Sequence, residues 1–342
     1  MKAKQIVFTD IKKAELIDTV CDLPKDNEVM VKVSYTAISC GTEKANFSGD
    51  INVDASRKTD DNIPKFPRYL GYSGSGIVYK TGKNITKVKE GDRVVISGYH
   101  KNYCTVNENA VTKITDDNIC LKEASFGRIS TFSLAGLRKT RLEIGESIIV
   151  MGLGILGMFA VQFAKAAGAY PVIAADPIKE RRDLALMCGA DFAFDVNEEN
   201  FVENVKKVSG GGVHTAIEVT GRGEAFDTVL DCMRPRGRVA LLGCTRNSDF
   251  TIDYYRKIHF PGITVVGAHT CARPEIESCA NYWTHEDDTK TFLNLISGKR
   301  IDVSKMIFET HSPNDAQKVY DRLLNDKDFP IGVVFDWENI GE

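Results

Sequence analysis

The sequence predicts an α/β protein in which a small β-barrel is joined to a doubly wound parallel sheet. Three observations carry this prediction. Residues 1–125 read as short strands separated by glycine turns, the pattern of a small barrel. From about Ala124 onward, apolar runs of strand length alternate with helical patterns. That alternation implies right-handed crossovers and a parallel sheet covered on both faces. At the head of the second region, Ile148-Ile149-Val150-Met151 runs straight into glycines at positions 152, 154 and 157.

In the first region, Glu28 to Ser39 alternates Val29, Val31, Val33 and Tyr35 against Met30, Lys32 and Ser34, which predicts a long strand. Leu70 to Lys80 is a second strand, and Gly71, Gly74 and Gly76 require its backbone to bend or to approach a neighbour closely. Gly91-Asp92 turns into the strand Arg93 to Ile96. Ser48 to Pro67 is polar and aperiodic, a long surface loop.

In the second region, the helix after Gly154 carries its apolar face on Leu156, Phe159, Ala160, Phe163, Ala164 and Ala167, and Gly168 ends it. The strand Val172 to Ala175 follows and stops on Asp176. Then come a helix at 178–188, a strand at 191–195, a helix at 197–208, a strand at 214–219 and a helix at 224–233. Strands at 238–242 and 263–267 complete the sheet. The tail adds a helix at 287–296, a strand at 306–310, a helix at 314–324 and a strand at 331–335.

The G-x-G-x-x-G stretch has a mechanical reading. Gly152 permits the tight turn, Gly154 lets the backbone approach a pyrophosphate, and Gly157 lets helix and strand pack closely. The helix start offers free N–H groups and a positive dipole to that pyrophosphate. Asp176 accepts hydrogen bonds from an adenosine ribose and repels a 2′-phosphate, so the expected cofactor is NAD. The cofactor contacts expected are Gly152, Gly154, Ile155, Leu156, Gly157, Asp176 and Arg181, then Thr220, Gly243, Gly267 and Ala268 further along the sheet.

Composition narrows the partners. A net charge of −3 over 342 residues gives no electrostatic footprint for nucleic acid or an anionic membrane. The nine scattered cysteines contain no C-x-x-C pair, which fits reduced thiols rather than a disulfide framework. The N-terminal residues hold no signal-like apolar region and no segment reaches transmembrane length, so a cytoplasmic location is expected. The apolar, uncharged stretch Ile263 to Gly267 reads as a sheet edge that pairing across a two-fold would cover, so a homodimer or homotetramer is expected.

Several stretches together make the chain resemble the medium-chain dehydrogenase/reductase family, which includes the zinc alcohol and polyol dehydrogenases. They are Ser39-Cys40-Gly41-Thr42-Glu43, the glycine-rich strand from Gly71 to Gly76, Gly91-Asp92-Arg93-Val94 and the dinucleotide motif. Gly189-Ala190-Asp191, Ile217 to Gly221 and Gly237-Arg238-Val239 extend the match over nearly the whole length. The resemblance implies a GroES-like catalytic domain, here 1–125 with 272–342, and a Rossmann domain at 126–271, with a small-molecule substrate in the cleft between them.

The family's catalytic zinc is where the likeness breaks. Its first ligand is present as Cys40, but its Gly-His-Glu motif reads Gly71-Tyr72-Ser73, and a later glutamate aligns with Arg128. The four cysteines of the structural zinc are also missing from Ser97 to Asn107. No metal is therefore expected. Thr42 stands where the family keeps a hydroxyl that touches the substrate oxygen, and the histidine that continues its relay falls at Ala45. Tyr72 is either an acid/base or a wall of the site. Arg128 either supplies a fixed positive charge in zinc's place or pairs with Glu43. Cys40 is a small filler; His100, His259 and His269 are the histidines that could fall near the cleft, each read as structural ahead of chemical. The catalytic candidates are thus Thr42, Tyr72, Arg128, Cys40 and Glu43.

The leading expectation is an NAD-dependent, zinc-independent dehydrogenase of a sugar, sugar derivative, polyol or other secondary alcohol. The polyol and sugar branch is echoed also by Lys257 to Pro261. A quinone- or enoyl-reductase-like enzyme is the alternative, although such relatives prefer NADPH, which Asp176 disfavours. A metal-free branch acting on bacteriochlorophyll side-chain alcohols shares the Gly-Thr-Glu pattern. A non-catalytic nucleotide-binding protein of the lens type is the reading from a different class.

Overall fold

The computed structural model of the protein describes residues 1–53, 63–246, 248 and 250–340. The chain opens with β1 (Lys2–Asp10), β2 (Lys13–Val20), β3 (Glu28–Ala37), α1 (Cys40–Phe47), β4 (Arg68–Tyr69), β5 (Gly74–Thr81) and β6 (Arg93–Ile96). It continues with β7 (Tyr103–Asn107), β8 (Val111–Lys113), α2 (Leu121–Ala124) and α3 (Gly127–Lys139). Then follow β9 (Ile148–Met151), α4 (Ile155–Ala166), β10 (Val172–Ala175), α5 (Lys179–Met187), β11 (Phe192–Phe194) and α6 (Phe201–Val208). The remainder is β12 (Val213–Glu218), α7 (Gly223–Cys232), β13 (Met233–Leu241), β14 (Thr264–Gly267), α8 (His285–Ser297), β15 (Ile307–His311), α9 (Ala316–Asn325) and β16 (Gly332–Asp336).

Two compact units form. The first holds residues 1–129, 289–297 and 303–342; the second holds 130–288 and 298–302. The stretch 272–288 thus packs within the second unit, whereas the expected boundary assigned it to the barrel.

The first unit is antiparallel apart from one pair. Its larger sheet runs β15-β16-β3-β5-β6-β8 with β7 also paired to β3, and a smaller sheet runs β2-β1-β4. The tail returns to the larger sheet, since Val334 of β16 lies opposite Ala37 of β3. The expected strand at 70–80 begins only at Gly74. Gly71 adopts φ +91°, and a Cβ there would lie 2.5 Å from the His100 nitrogen, so the chain turns before it pairs. Gly76 is required by contact: a Cβ would lie 2.2 Å from the Lys32 oxygen on β3.

The β1–β2 hairpin and α1 are among the features of this unit that were not expected from the sequence. Helix α1 is held by packing, since Phe47 at its end is fully buried with ring centroids 5.3 Å from Phe8 and 5.6 Å from Tyr320 of α9. Residues 54–62 of the expected loop lie outside the described residues.

The second unit is one parallel sheet in the order β11-β10-β9-β12-β13-β14. Counted by appearance this is 3-2-1-4-5-6, the doubly wound order, whose switch point lies between β9 and β12. β9 and β10 are buried along their whole length, as near-continuous apolar runs in a covered parallel sheet must be. β14 forms one edge of the sheet, and Val265 on it is 37% exposed. All nine cysteines are free thiols. Among the described residues no helix is long and apolar enough to cross a membrane.

Candidate functional site

The carboxyl ends of the parallel strands bring the nucleotide-binding candidates together. Gly152 leaves β9 at φ +97°, a turn that a side chain resists, and a Cβ there would meet Thr220 Cγ2 at 2.8 Å. Gly157 lies in the first turn of α4, where a Cβ would sit 1.9 Å from the Gly152 oxygen, so any other residue would push helix and loop apart. Gly154, the N-cap of α4, has nothing within 4 Å of the corresponding position. Close packing on both sides and open space in the middle is the geometry a pyrophosphate needs, together with helix N–H groups that no helix satisfies internally.

Asp176 follows β10 and is 4% exposed. Its Oδ2 accepts the Leu153 N–H at 2.8 Å and its Oδ1 accepts the Ile178 N–H at 2.9 Å. The carboxylate therefore pins the glycine loop, and each oxygen retains lone-pair capacity for a further donor. Arg181 stands 3.9 Å from Asp176 Oδ2. Arg182, whose basic run with Lys179 and Arg181 reads from the sequence as a solvated helix face, instead donates to the carbonyls of Asp176 and Pro177 at 2.8 and 2.9 Å and so holds the turn.

Thr220, Gly243, Gly267 and Ala268 lie at or beyond the ends of β12, β13 and β14. Glu218 organises this edge: it is 2% exposed and accepts from the Thr220 and Gly221 N–H groups at 2.7 and 3.1 Å and from the Thr220 hydroxyl. Burial raises its pKa, while the Thr220 and Gly221 bonds work against that rise. A Cβ on Gly243 would fall 2.2 Å from the Gly221 nitrogen, so the two turns interlock.

The catalytic candidates gather in the first unit, at the start of α1. Cys40 and Thr42 occupy its first turn; the Cys40 thiol reaches the Ile331 carbonyl at 3.8 Å, and the Thr42 hydroxyl makes no hydrogen bond to the described residues. The Tyr72 hydroxyl donates to Ser39 Oγ, at the residue that precedes the helix. The Ser73 hydroxyl donates to the Ser125 carbonyl at 2.6 Å and accepts the N–H groups of Arg128 and Ile129 at 3.1 and 3.2 Å. Those N–H groups belong to the first turn of α3, which an α-helix cannot satisfy itself. Ser73 thus caps α3 from another segment. Through it the structure brings Tyr72 and the backbone of Arg128 into one neighbourhood.

Glu43 is fully buried, and its partners differ from those expected. Its Oε1 accepts the Ser39 N–H at 2.8 Å; its Oε2 accepts Tyr320 OH at 2.7 Å and faces His100 Nε2 at 3.1 Å. Arg128 is not among these partners, so the alternative of an Arg128–Glu43 pair is replaced by this network. His100 is likewise fully buried, with Nδ1 2.7 Å from the Thr36 hydroxyl, which itself accepts Trp337 Nε1–H at 2.9 Å. Every group is satisfied when His100 donates through Nε2 and accepts from Thr36 at Nδ1. His100 is thereby a structural histidine. Burial and the Glu43 charge push the Tyr320 hydroxyl pKa far upward, so it stays a donor.

Cys40, Tyr72, Ser73 and Arg128, the residues that the resemblance sets at the family's zinc positions, offer a thiol, a phenol, a hydroxyl and a guanidinium, and the phenol and hydroxyl are engaged with the protein. This donor set does not fit zinc, which takes three or four Cys, His or carboxylate ligands. Among the described residues no group of three or more His, Cys, Asp or Glu side chains is placed to hold a metal ion.

Two family descriptions match the chain: an alcohol dehydrogenase GroES-like domain over residues 25–159 and a zinc-binding dehydrogenase domain over residues 156–286. The chain is 28% identical to an L-threonine 3-dehydrogenase of Pyrococcus horikoshii, covering 74% of this chain and 79% of that one. It is 27% identical to a D-guloside 3-dehydrogenase of Shigella flexneri, covering 79% and 82%. Among solved structures it superposes on an Escherichia coli alcohol dehydrogenase complexed with NADH, with TM-score 0.82, 17% identity and 98% and 99% coverage. A Sinorhizobium meliloti protein described as a zinc-binding dehydrogenase and bound to NADP gives TM-score 0.79, 19% identity and the same coverage.

Proposed function

The chain belongs to the medium-chain dehydrogenase/reductase family, and from that premise we propose an NAD-dependent, zinc-independent dehydrogenase of a sugar, polyol or other secondary alcohol. One observation carries the reading. The glycine loop keeps its full nucleotide geometry, pinned by Asp176, while the residues at the family's metal positions have the wrong chemistry for zinc.

The bound nicotinamide supplies the hydride acceptor or donor. The chain's own residues do the rest. The backbone at Gly154 and the start of α4 bind the pyrophosphate, and Asp176 binds the ribose and disfavours a 2′-phosphate. Arg181, at 3.9 Å, offsets part of that repulsion. At the substrate end, Thr42 offers a hydroxyl with no other partner among the described residues. The Tyr72 hydroxyl is hydrogen-bonded to Ser39 Oγ, so a proton taken from the substrate alcohol passes along this pair only as each hydroxyl hands on its own. Arg128 supplies the positive charge that stabilises the alkoxide from which hydride leaves. No step passes through a metal.

The protein works in the cytoplasm, where its free thiols stay reduced. It pairs through the exposed edge of β14; light scattering showing only monomer at micromolar concentration would contradict that. The function itself is tested by following NAD and NADP reduction against a panel of sugars, glycosides, polyols and amino alcohols. Turnover with NAD, and weaker turnover with NADP, is expected. Turnover confined to quinones or enones, or none at all, would overturn the reading.

A further inference from the structure

The parallel sheet carries two buried carboxylates at its carboxyl end, one on each side of β9. Ala175 of β10 and Glu218 of β12 both lie opposite Met151, the last residue of β9. On the β10 side the next residue, Asp176, holds the glycine loop through the Leu153 N–H at 2.8 Å. On the β12 side Glu218, 2% exposed, reaches the same loop through an intermediary.

The intermediary is Thr220. Its hydroxyl donates to Glu218 Oε1 and accepts the Arg222 N–H at 3.0 Å, which fixes the rotation of the side chain. A threonine Cβ carries one oxygen and one methyl, so fixing the first fixes the second. The methyl faces Gly152: a Cβ there would lie 2.8 Å from Thr220 Cγ2 and 3.4 Å from the Thr220 nitrogen. Gly152, at φ +97°, opens the turn that a pyrophosphate crosses.

The hold of Glu218 extends to β13. Its carbonyl accepts the Leu242 and Gly243 N–H groups at 2.8 and 2.9 Å, and both of its carboxylate oxygens lie 3.1 Å from the Gly221 nitrogen. One residue thereby fixes Gly152, Thr220 and Gly243, three expected cofactor contacts that follow three different strands. In a doubly wound sheet the dinucleotide crosses the switch point, with the adenosine ribose at the acid after the second strand. The β12 side is then left for the nicotinamide half.

We propose that Glu218 is a positioning residue for the nicotinamide half of the cofactor, acting through the Thr220 methyl on Gly152. It does for that half what Asp176 does for the adenosine half. This rests on the cofactor site of the dehydrogenase reading and not on its substrate.

The test measures binding of NAD and of 5′-AMP by calorimetry, with the melting midpoint, on the unsubstituted protein and on variants. AMP probes the adenosine half alone. Glu218→Gln keeps the size and one acceptor oxygen but loses the charge. Thr220→Val keeps the methyl and loses the hydroxyl, and Thr220→Ser does the reverse. Each is expected to weaken NAD about 10-fold, the scale of one hydrogen bond to a charged group, and to leave AMP nearly unchanged. Glu218→Gln combined with Thr220→Val is expected to cost no more than the stronger single change, because both break one contact.

Thr220→Ser separates positioning from simple closure of the turn, since it retains the bond to Glu218 and removes only the methyl. Full NAD affinity in Thr220→Ser therefore overturns the proposal, and does so even if Glu218→Gln fails to fold. A lower midpoint in Glu218→Gln with NAD affinity unchanged makes Glu218 a fold anchor only and overturns it. Equal weakening of NAD and AMP puts the effect on the whole loop and overturns it too. Additive losses in the double variant assign Thr220 a contact of its own and remove the route through it. An unsubstituted protein that binds neither nucleotide overturns the cofactor reading itself.

Discussion

The loop after β9 and the turn through Tyr72 and Ser73 treat their polar groups in opposite ways. In the loop, recognition is built from backbone. Gly152 and Gly157 are fixed by contacts of 2.8 and 1.9 Å that a Cβ would make, while Gly154 faces open space. In the turn, recognition would have to come from side chains, and those side chains are used by the protein itself. Ser73 caps α3, Tyr72 bonds Ser39, and Glu43 is surrounded by Ser39, His100 and Tyr320. A glycine loop of this kind cannot take a larger residue at 152 or 157 without a collision.

Mutation can break or sharpen this contrast. The largest effect is expected at Arg128. If its charge stabilises the alkoxide, Arg128→Met cuts turnover by ~10²–10³ and leaves NAD affinity and the melting midpoint nearly unchanged. The Arg128 backbone bond to Ser73 survives the substitution, which keeps the fold. Unchanged turnover would reduce Arg128 to a wall residue and weaken the mechanism. A smaller effect is expected at Ser73. Ser73→Ala removes the cap of α3, a loss of about 1 kcal/mol, which lowers the midpoint by about 2–4 °C. Nucleotide affinity should not change. A drop in affinity alongside the midpoint would mean the two regions are coupled, and the contrast drawn above would fail.

How much of this was legible in the sequence follows the same division. The dinucleotide loop, the strand–helix alternation and the glycine at 76 were readable because their causes are local: a turn, a period of 3.6 or 2, a backbone contact. Even so, Arg182, which holds the turn after Asp176, stands in the basic run Lys179-Glu180-Arg181-Arg182, which reads from the sequence as a solvated helix face. Helix α1 was not readable, because its eight residues mix glycine, charge and apolar groups, and it is held by Phe8 and Tyr320 rather than by its own periodicity. The partners of Glu43 were out of reach for a similar reason. Tyr320 lies 277 residues away in the chain, and only the returning tail brings it to α1. The stretch 272–288 carries Arg273, whose buried neighbours come from α3 and from Asp288 of α8. No spacing rule connects such residues.

The central claim is that this dehydrogenase keeps its nucleotide site and works without the family's metal. The most direct measurement is metal content and NAD reduction on the same sample, purified without added metal and then dialysed against a strong chelator. The account predicts far less than one zinc per chain and a rate that the chelator does not change. About one zinc per chain, lost together with activity and regained on adding zinc, would contradict it.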